Sequence, residues 1–296
     1  MIFAPDLALE PNACVSPRRG ALRFAEEALV ALALAVMVAL PLAEIVLRTF
    51  FRSGVAGTDS IVQHLTLVAG MIGGTLAARD GRLLALSTVP ALLHGAWARA
   101  ARVFSHTIAA AVAAALTLVS IEFVAVERTS THAVLAGVPL WIVQLVLPIG
   151  FAAIAGRVWW QAADGWRGRL LVAASAGGLL ALGAWPPVAV ESLVWPAWIA
   201  LGAAAVLGAP VFVALAGAGL LLFWGHGLPL SALPVEHYRL VVNPTLPSIP
   251  LFTLAGYFLA EGGSSRRLID LFQAFSGHVR GGPAVAVALV CAFFTA

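Results

Sequence analysis

The chain has no lysine; all 17 of its basic residues are arginine. Charge of either sign is scarce, at 10% of residues, where soluble domains carry roughly 25%. A polar shell around a globule of 296 residues cannot be built from so few charges. Two cysteines, Cys14 in a polar stretch and Cys291 in an apolar one, exclude a disulfide framework. Neither has a CxxC neighbour, and both read as free thiols. No His-Glu-x-x-His spacing and no Gly-x-x-x-x-Gly-Lys-Ser/Thr loop occurs, which leaves zinc-protease and P-loop nucleotide chemistry without a motif. The small net charge of +3, with arginines clustered between apolar runs, argues against a nucleic-acid surface.

What the chain has in quantity is apolar length. Apolar residues make up 61%, and the mean hydropathy is +0.98. The apolar runs are approximately 24–47, 60–78, 103–125, 136–158, 170–190, 192–208, 211–224 and 246–260. They predict an all-α, polytopic helical membrane protein of about eight spans in a lipid bilayer. The first run is longer than a signal-peptide core and is read as a retained span. Arg18, Arg19 and Arg23 put the N-terminus in the cytoplasm by the positive-inside rule. Arg79, Arg82, Arg99 and Arg102 do the same for the second connection, and Arg157, Arg167 and Arg169 for the fourth.

The stretch from Ser192 to Trp224 is too long for one crossing, and Gly208-Ala209-Pro210 is the expected break. Two stretches, 83–97 and 264–278, have the one-sided apolar spacing of interfacial amphipathic helices. In the second, Leu268, Leu271, Phe272 and Phe275 share a face, and Ser264 or Ser265 can cap its start. The apolar run after Arg280-Gly-Gly-Pro283 is about half the roughly 20 residues a crossing needs and is expected to continue beyond residue 296.

Several residues have two readings. Glu44 and Arg48 lie four apart at the outer end of the first span, either as a locally paired helix end or as a contact for a partner. Asp59 across the loop could complete that cluster, and Arg79 is a scaffold candidate at the other end. Gly70 and Gly74 offer a small-x-x-x-small face for packing. Gly262, Gly263, Gly281 and Gly282 flank the 264–278 stretch as hinges or as plain helix ends. Ser248, Pro250 and Thr253, with Asn243 nearby, could line an ion or substrate path or satisfy local backbone. Glu122, His106, His64 and His132 are the candidates for intramembrane chemistry, without a nucleophile–base arrangement.

The run PSIPLFTLAGYFLAEGG, followed by SSRRLIDLFQAFSGHVRGG and AVALVCAFFTA, resembles the start of the large membrane subunit of tripartite ATP-independent periplasmic (TRAP) transporters. LGAPVFVALAGAGLLLFW resembles its opening helices. Glu44-x-x-x-Arg48, MIGGTLAARDGRLLALSTVPALL and VPLWIVQLVLPIGFAAIAGRVWW are similar to the small subunit. Leu83-Leu84 stands where many family members carry a histidine, so no role for that histidine transfers.

The resemblance implies a fused polypeptide with a small-subunit-like region 1–160, a linking segment 161–191 with one extra crossing, and a large-subunit-like region 192–296 that opens a re-entrant hairpin. It further implies a multi-pass protein of the bacterial inner membrane, and sodium-driven uptake of an organic acid anion such as a C4-dicarboxylate. A periplasmic solute-binding protein would deliver the anion, and the carrier would move as an elevator. No cofactor is expected. Sodium ions are implied, with their serine-rich turn placed after residue 296. The alternatives are an intramembrane enzyme and a structural or sensory membrane protein.

Overall fold

Apolar runs bounded by arginine, glycine and proline fold into helices whose ends follow those boundaries. In a computed structural model, the described residues are 17–54, 57–86, 92–130, 133–135, 138–163, 165–186 and 190–263, with 267, 271, 274, 284, 288, 291 and 292. The first helix, α1 (Pro17–Val46), passes into a π-helical turn at Leu47–Phe51. Then come α2 (Thr58–Arg79), α3 (Gly95–Glu127), a two-stranded hairpin of β1 (Ala133–Leu135) and β2 (Val138–Pro139), and α4 (Leu140–Gln144) running into α5 (Val146–Gln161). The chain continues through α6 (Trp166–Ala184), α7 (Val190–Val206), α8 (Val211–Gly225), α9 (Ala232–Val241) and α10 (Ser248–Glu261).

Four stretches among the described residues are long and apolar enough to cross a membrane: Arg23–Phe51, Thr58–Arg79, Gly95–Glu127 and Leu140–Gln161. The eight-span expectation is therefore met in full length by half its members. The runs at 192–208, 211–224 and 246–260 fold into helices of 17, 15 and 14 residues. The 170–190 run contributes α6, of 19 residues, about 28 Å long at 1.5 Å per residue. Exposed Trp166 and Trp185 bracket it, as interfacial aromatics do.

The all-α expectation gains one small antiparallel hairpin, with Ala133 opposite Pro139 and Leu135 opposite Val138. The 83–97 stretch is not one interfacial helix. Leu83–Leu86 is non-helical, Ala85 bridges Pro210, and Gly95 already opens α3. The physical reason is visible in the sequence, where Pro90 and Gly95 interrupt the apolar spacing. Apart from Arg267, Leu271 and Ala274, which are helical, the 264–278 stretch lies outside the described residues.

By packing, the chain divides into residues 1–243 and 244–296. In the first unit α3 is central. Its alanines 109, 110, 111 and 113 are buried, and such small side chains let neighbouring helices approach closely. Leu116 and Phe123 pack with Leu67 and Met71 of α2 and Leu147 and Phe151 of α5. Ala109 and Ala113 share a cluster with Ile154, Leu201 of α7 and Val213 of α8. Ala110 and Ala111 meet Val172 and Ala176 of α6.

Hydrogen bonds fix which helix ends lie together. The Leu84 carbonyl accepts from the Val211 N–H at 2.8 Å, so the loop after α2 sits at the turn between α7 and α8. That turn falls at the expected break, with Gly208 in the left-handed region at φ 96°. The indole N–H of Trp159 donates to the Arg169 carbonyl at 2.8 Å, tying the end of α5 to the start of α6. At its other end α6 is tied to α8, because Trp224 Nε1 donates to the Gly183 carbonyl at 3.0 Å. The linking helix thus runs from the end holding Arg169 to the end holding Trp224. In the second unit α10 ends at Gly262 and Gly263, the latter at φ 70°.

Candidate functional site

Two polar constellations hold the first unit together, one at each end. At the end where α2 finishes, Arg79 donates to Glu26 at 3.0 Å, Glu27 at 2.9 Å and Asp80 at 2.8 Å. Arg157 of α5 bonds both Glu26 and the Thr75 carbonyl. Gln161 Nε2 donates to the carbonyls of Ala78 at 2.6 Å and Arg79 at 3.0 Å. Three helices are therefore clamped through one carboxylate, Glu26, which accepts from two arginines. The hydrogen bond from Arg79 holds the Asp80 carboxyl below the usual carboxylate range.

At the opposite end α9 lies across α2 and α3. His64 is buried, and its Nδ1–H donates to the Ser60 carbonyl at 2.6 Å, leaving Nε2 to accept from Tyr238 Oη at 2.6 Å. Tyr238 also hydrogen-bonds Gln144, which is 1% exposed, and its ring leans on Phe123. Burial raises the Tyr238 pKa, with the Gln144 bond acting in the opposite sense. His237 packs against Phe151, and burial lowers its pKa.

Each residue singled out from sequence has a definite place. Glu44 is buried and pairs with exposed Arg48 at 2.5 Å, beside Gly54, where the chain turns back. Asp59 is exposed in the first turn of α2, and among the described residues no ion pair joins it to that pair. Ser248 Oγ donates to the Thr245 carbonyl at 2.5 Å and Thr253 Oγ1 to the Ile249 carbonyl at 2.8 Å, so both satisfy local backbone. Pro250 sits in the first turn of α10, where its missing N–H has no helical partner to lose. Gly262 N–H closes that helix on the Phe258 carbonyl at 2.8 Å, and Gly263 takes the left-handed position after it. Gly281 and Gly282 lie outside the described residues.

The intramembrane chemistry candidates do not converge. Glu122 is exposed, and His106 bonds the Arg102 carbonyl at 2.9 Å. Sixteen residues apart on α3, they are separated by about 24 Å along the axis. His132 lies outside the described residues. Close helix approach occurs at Gly150, where an added Cβ would fall inside the Met71 side chain, while Gly70 faces open space and Gly74 contacts Ile154.

Sequence reading passed over Glu26, Glu27, Gln144 and Tyr238, and used Arg157 only as a topology marker. Signals for some of these were present: two adjacent carboxylates open an apolar run, and Tyr238 is one of only two tyrosines in the chain.

The His64–Tyr238 constellation joins residues of two different family models, whereas the Glu26–Arg79–Arg157 clamp lies within one. Residues 21–168 match the DctQ component of the tripartite ATP-independent periplasmic transporters, half of the chain, and residues 198–296 match the DctM component. The chain belongs to the TRAP transporter family. It is similar to the C4-dicarboxylate TRAP transporter large permease protein DctM of Pseudomonas aeruginosa, 49% identical over 61 residues, which are 21% of this chain and 13% of that protein. The isethionate TRAP transporter permease protein DctMQ of Oleidesulfovibrio alaskensis is 30% identical over 166 residues, covering 53% of this chain and 26% of that protein. The ectoine TRAP transporter large permease protein TeaC of Halomonas elongata is 35% identical over 94 residues, 31% of this chain and 22% of that protein. The matched stretches span about a quarter or less of these TRAP permeases.

In TRAP terms, His64, Gln144 and Phe151 lie in the DctQ match and His237 and Tyr238 in the DctM match. The seam between the two components is therefore closed at one end by His64–Tyr238 and at the other by Leu84–Val211.

Proposed function

We propose that this chain forms the static scaffold of a TRAP-type secondary transporter in the bacterial inner membrane. The carrier takes up a small organic acid anion on an inward sodium gradient, and a periplasmic solute-binding protein delivers the anion. The observation that carries this reading is the packing of α7, α8 and α9 on the DctQ-matching helices, tied at both ends of the bundle. A mobile transport domain working as an elevator needs a rigid wall to move against, and a fused wall with hydrogen bonds at both ends supplies one. The arginine-rich end, with Arg79, Arg82, Arg157 and Arg167, faces the cytoplasm together with the N-terminus, by the positive-inside rule. The names of the relatives, which include a C4-dicarboxylate and an isethionate permease, support a small anion as cargo.

The test is uptake of labelled succinate into proteoliposomes that contain the complete carrier including these residues. We expect uptake that requires both an added solute-binding protein and an inward sodium gradient. Uptake that persists with choline in place of sodium would remove the sodium coupling. Uptake independent of any binding protein would remove the delivery step.

A further inference from the structure

A groove of about 1060 Å³ lies between α3, α6 and α7. We propose that it holds one anionic phospholipid, with the phosphate on Arg99 and an acyl chain laid between the linking helix and α7.

Three observations carry this. The walls are almost wholly apolar: Val103 and Phe104 come from α3, Leu171, Gly178 and Leu182 from α6, and Ala200 from α7. Among the described residues Arg99 is the one charged residue in the lining, and it stands at the end of the groove where α3 begins. Arg167, in the first turn of α6, belongs to that same end of the bundle. An anion held there meets positive charge, and among the described residues no carboxylate lines the groove.

From Ala96 to Ile108 the α3 wall runs about 18 Å at 1.5 Å per residue, slightly more than one leaflet of a roughly 30 Å hydrocarbon core. The groove therefore takes a chain from the headgroup level to the bilayer centre. Near the Ile108 end of that wall, Thr107 Oγ1 lies 3.4 Å from Ser175 Oγ, and both hydroxyls also bond their own helix backbones. They leave no polar demand that a hydrocarbon chain would fail to meet.

Little else fills the space beside α6. That helix buries only Val172 and Ala176. It touches α3 through them and α8 through the Trp224–Gly183 bond. Between those contacts its face toward α7 is the groove. Basic pockets between transmembrane helices are recognised sites for anionic headgroups.

The test is native mass spectrometry of the full chain released from nanodiscs containing equal phosphatidylglycerol and phosphatidylcholine. We expect one phosphatidylglycerol retained in preference to phosphatidylcholine, and about fivefold less retention in Arg99→Gln, the loss of one arginine's attraction. Gly178→Phe, where an added Cβ meets nothing within 4 Å, should fill the groove and lower retention with Arg99 intact. Arg82→Gln, outside the groove, should leave retention unchanged. Equal retention of the two lipids, or unchanged phosphatidylglycerol in both Arg99→Gln and Gly178→Phe, would overturn the proposal.

Discussion

His64 and Tyr238, 174 residues apart in the chain, meet through a 2.6 Å hydrogen bond that joins the DctQ-matching and DctM-matching parts. The bond is partly buried, and its geometry is fixed on both sides. Ser60 sets the imidazole tautomer, and Phe123 and Gln144 hold the phenol. Tyr238→Phe leaves His64 Nε2 without its donor. We expect a loss of about 1–3 kcal/mol, and a double-mutant cycle with His64→Ala should give a coupling energy of about 1 kcal/mol. Thermal unfolding in detergent reads both quantities. Additive single-variant effects would mean the bond contributes nothing.

Glu26 accepts from Arg79 and Arg157 on two different helices. Glu26→Gln keeps the shape and removes the charge, so two partly buried guanidinium groups lose their shared counter-ion. We expect a destabilisation of roughly 1–3 kcal/mol. Glu27→Gln, on the far more exposed partner of Arg79, should cost less than 1 kcal/mol, as surface ion pairs do. Equal effects of the two variants would contradict the clamp.

Gly150→Ala places a methyl where the Met71 side chain now sits. Overpacking of this kind costs about 1–3 kcal/mol. Met71→Ala alone should also destabilise, by leaving a cavity. The double variant should be more stable than the sum of the two losses. The comparison is again by thermal unfolding, and strict additivity would show that the two helices do not touch there.

How much of this was legible in the sequence depends on the range of the interaction. Helix positions were readable because arginine, glycine and proline bound the apolar runs, and the break at Gly208–Pro210 falls where glycine and proline put it. The Glu44–Arg48 pair was readable because four residues make one helical turn. The His64–Tyr238 bond was not, since no spacing rule connects residues 174 apart. Gly150 was passed over for Gly70 because a small-x-x-x-small pattern says only that close approach is allowed. Which glycine meets a neighbour depends on helix rotation, and that is set by the core around Met71, Phe151 and Leu116. The π-helical turn at Leu47–Phe51, ending at Arg52 with φ 50°, carries no sequence signal that we recognise.

Burial lowers the pKa of His237 below that of the unfolded chain, so the folded state binds fewer protons. Stability then rises with pH wherever the unfolded state alone is protonated. We expect the melting temperature to fall as pH drops below about 6.5, the ordinary histidine value, and to level off once folded His237 also titrates. His237→Asn should flatten part of that slope. A melting temperature that rises on acidification, and still does so in His237→Asn, would show that other groups govern the response.

The fused scaffold depends most on α6 crossing the bilayer between the two components. A variant with Cys14 and Cys291 replaced by alanine can carry one new cysteine, at Arg167 or at Glu191. Membrane-impermeant maleimide is then applied to right-side-out and inverted vesicles. Cys at position 167 should react only in inverted vesicles, and Cys at position 191 only in right-side-out ones. Reaction of both positions from the same side would mean that α6 does not cross, and the two-component scaffold would be lost with it.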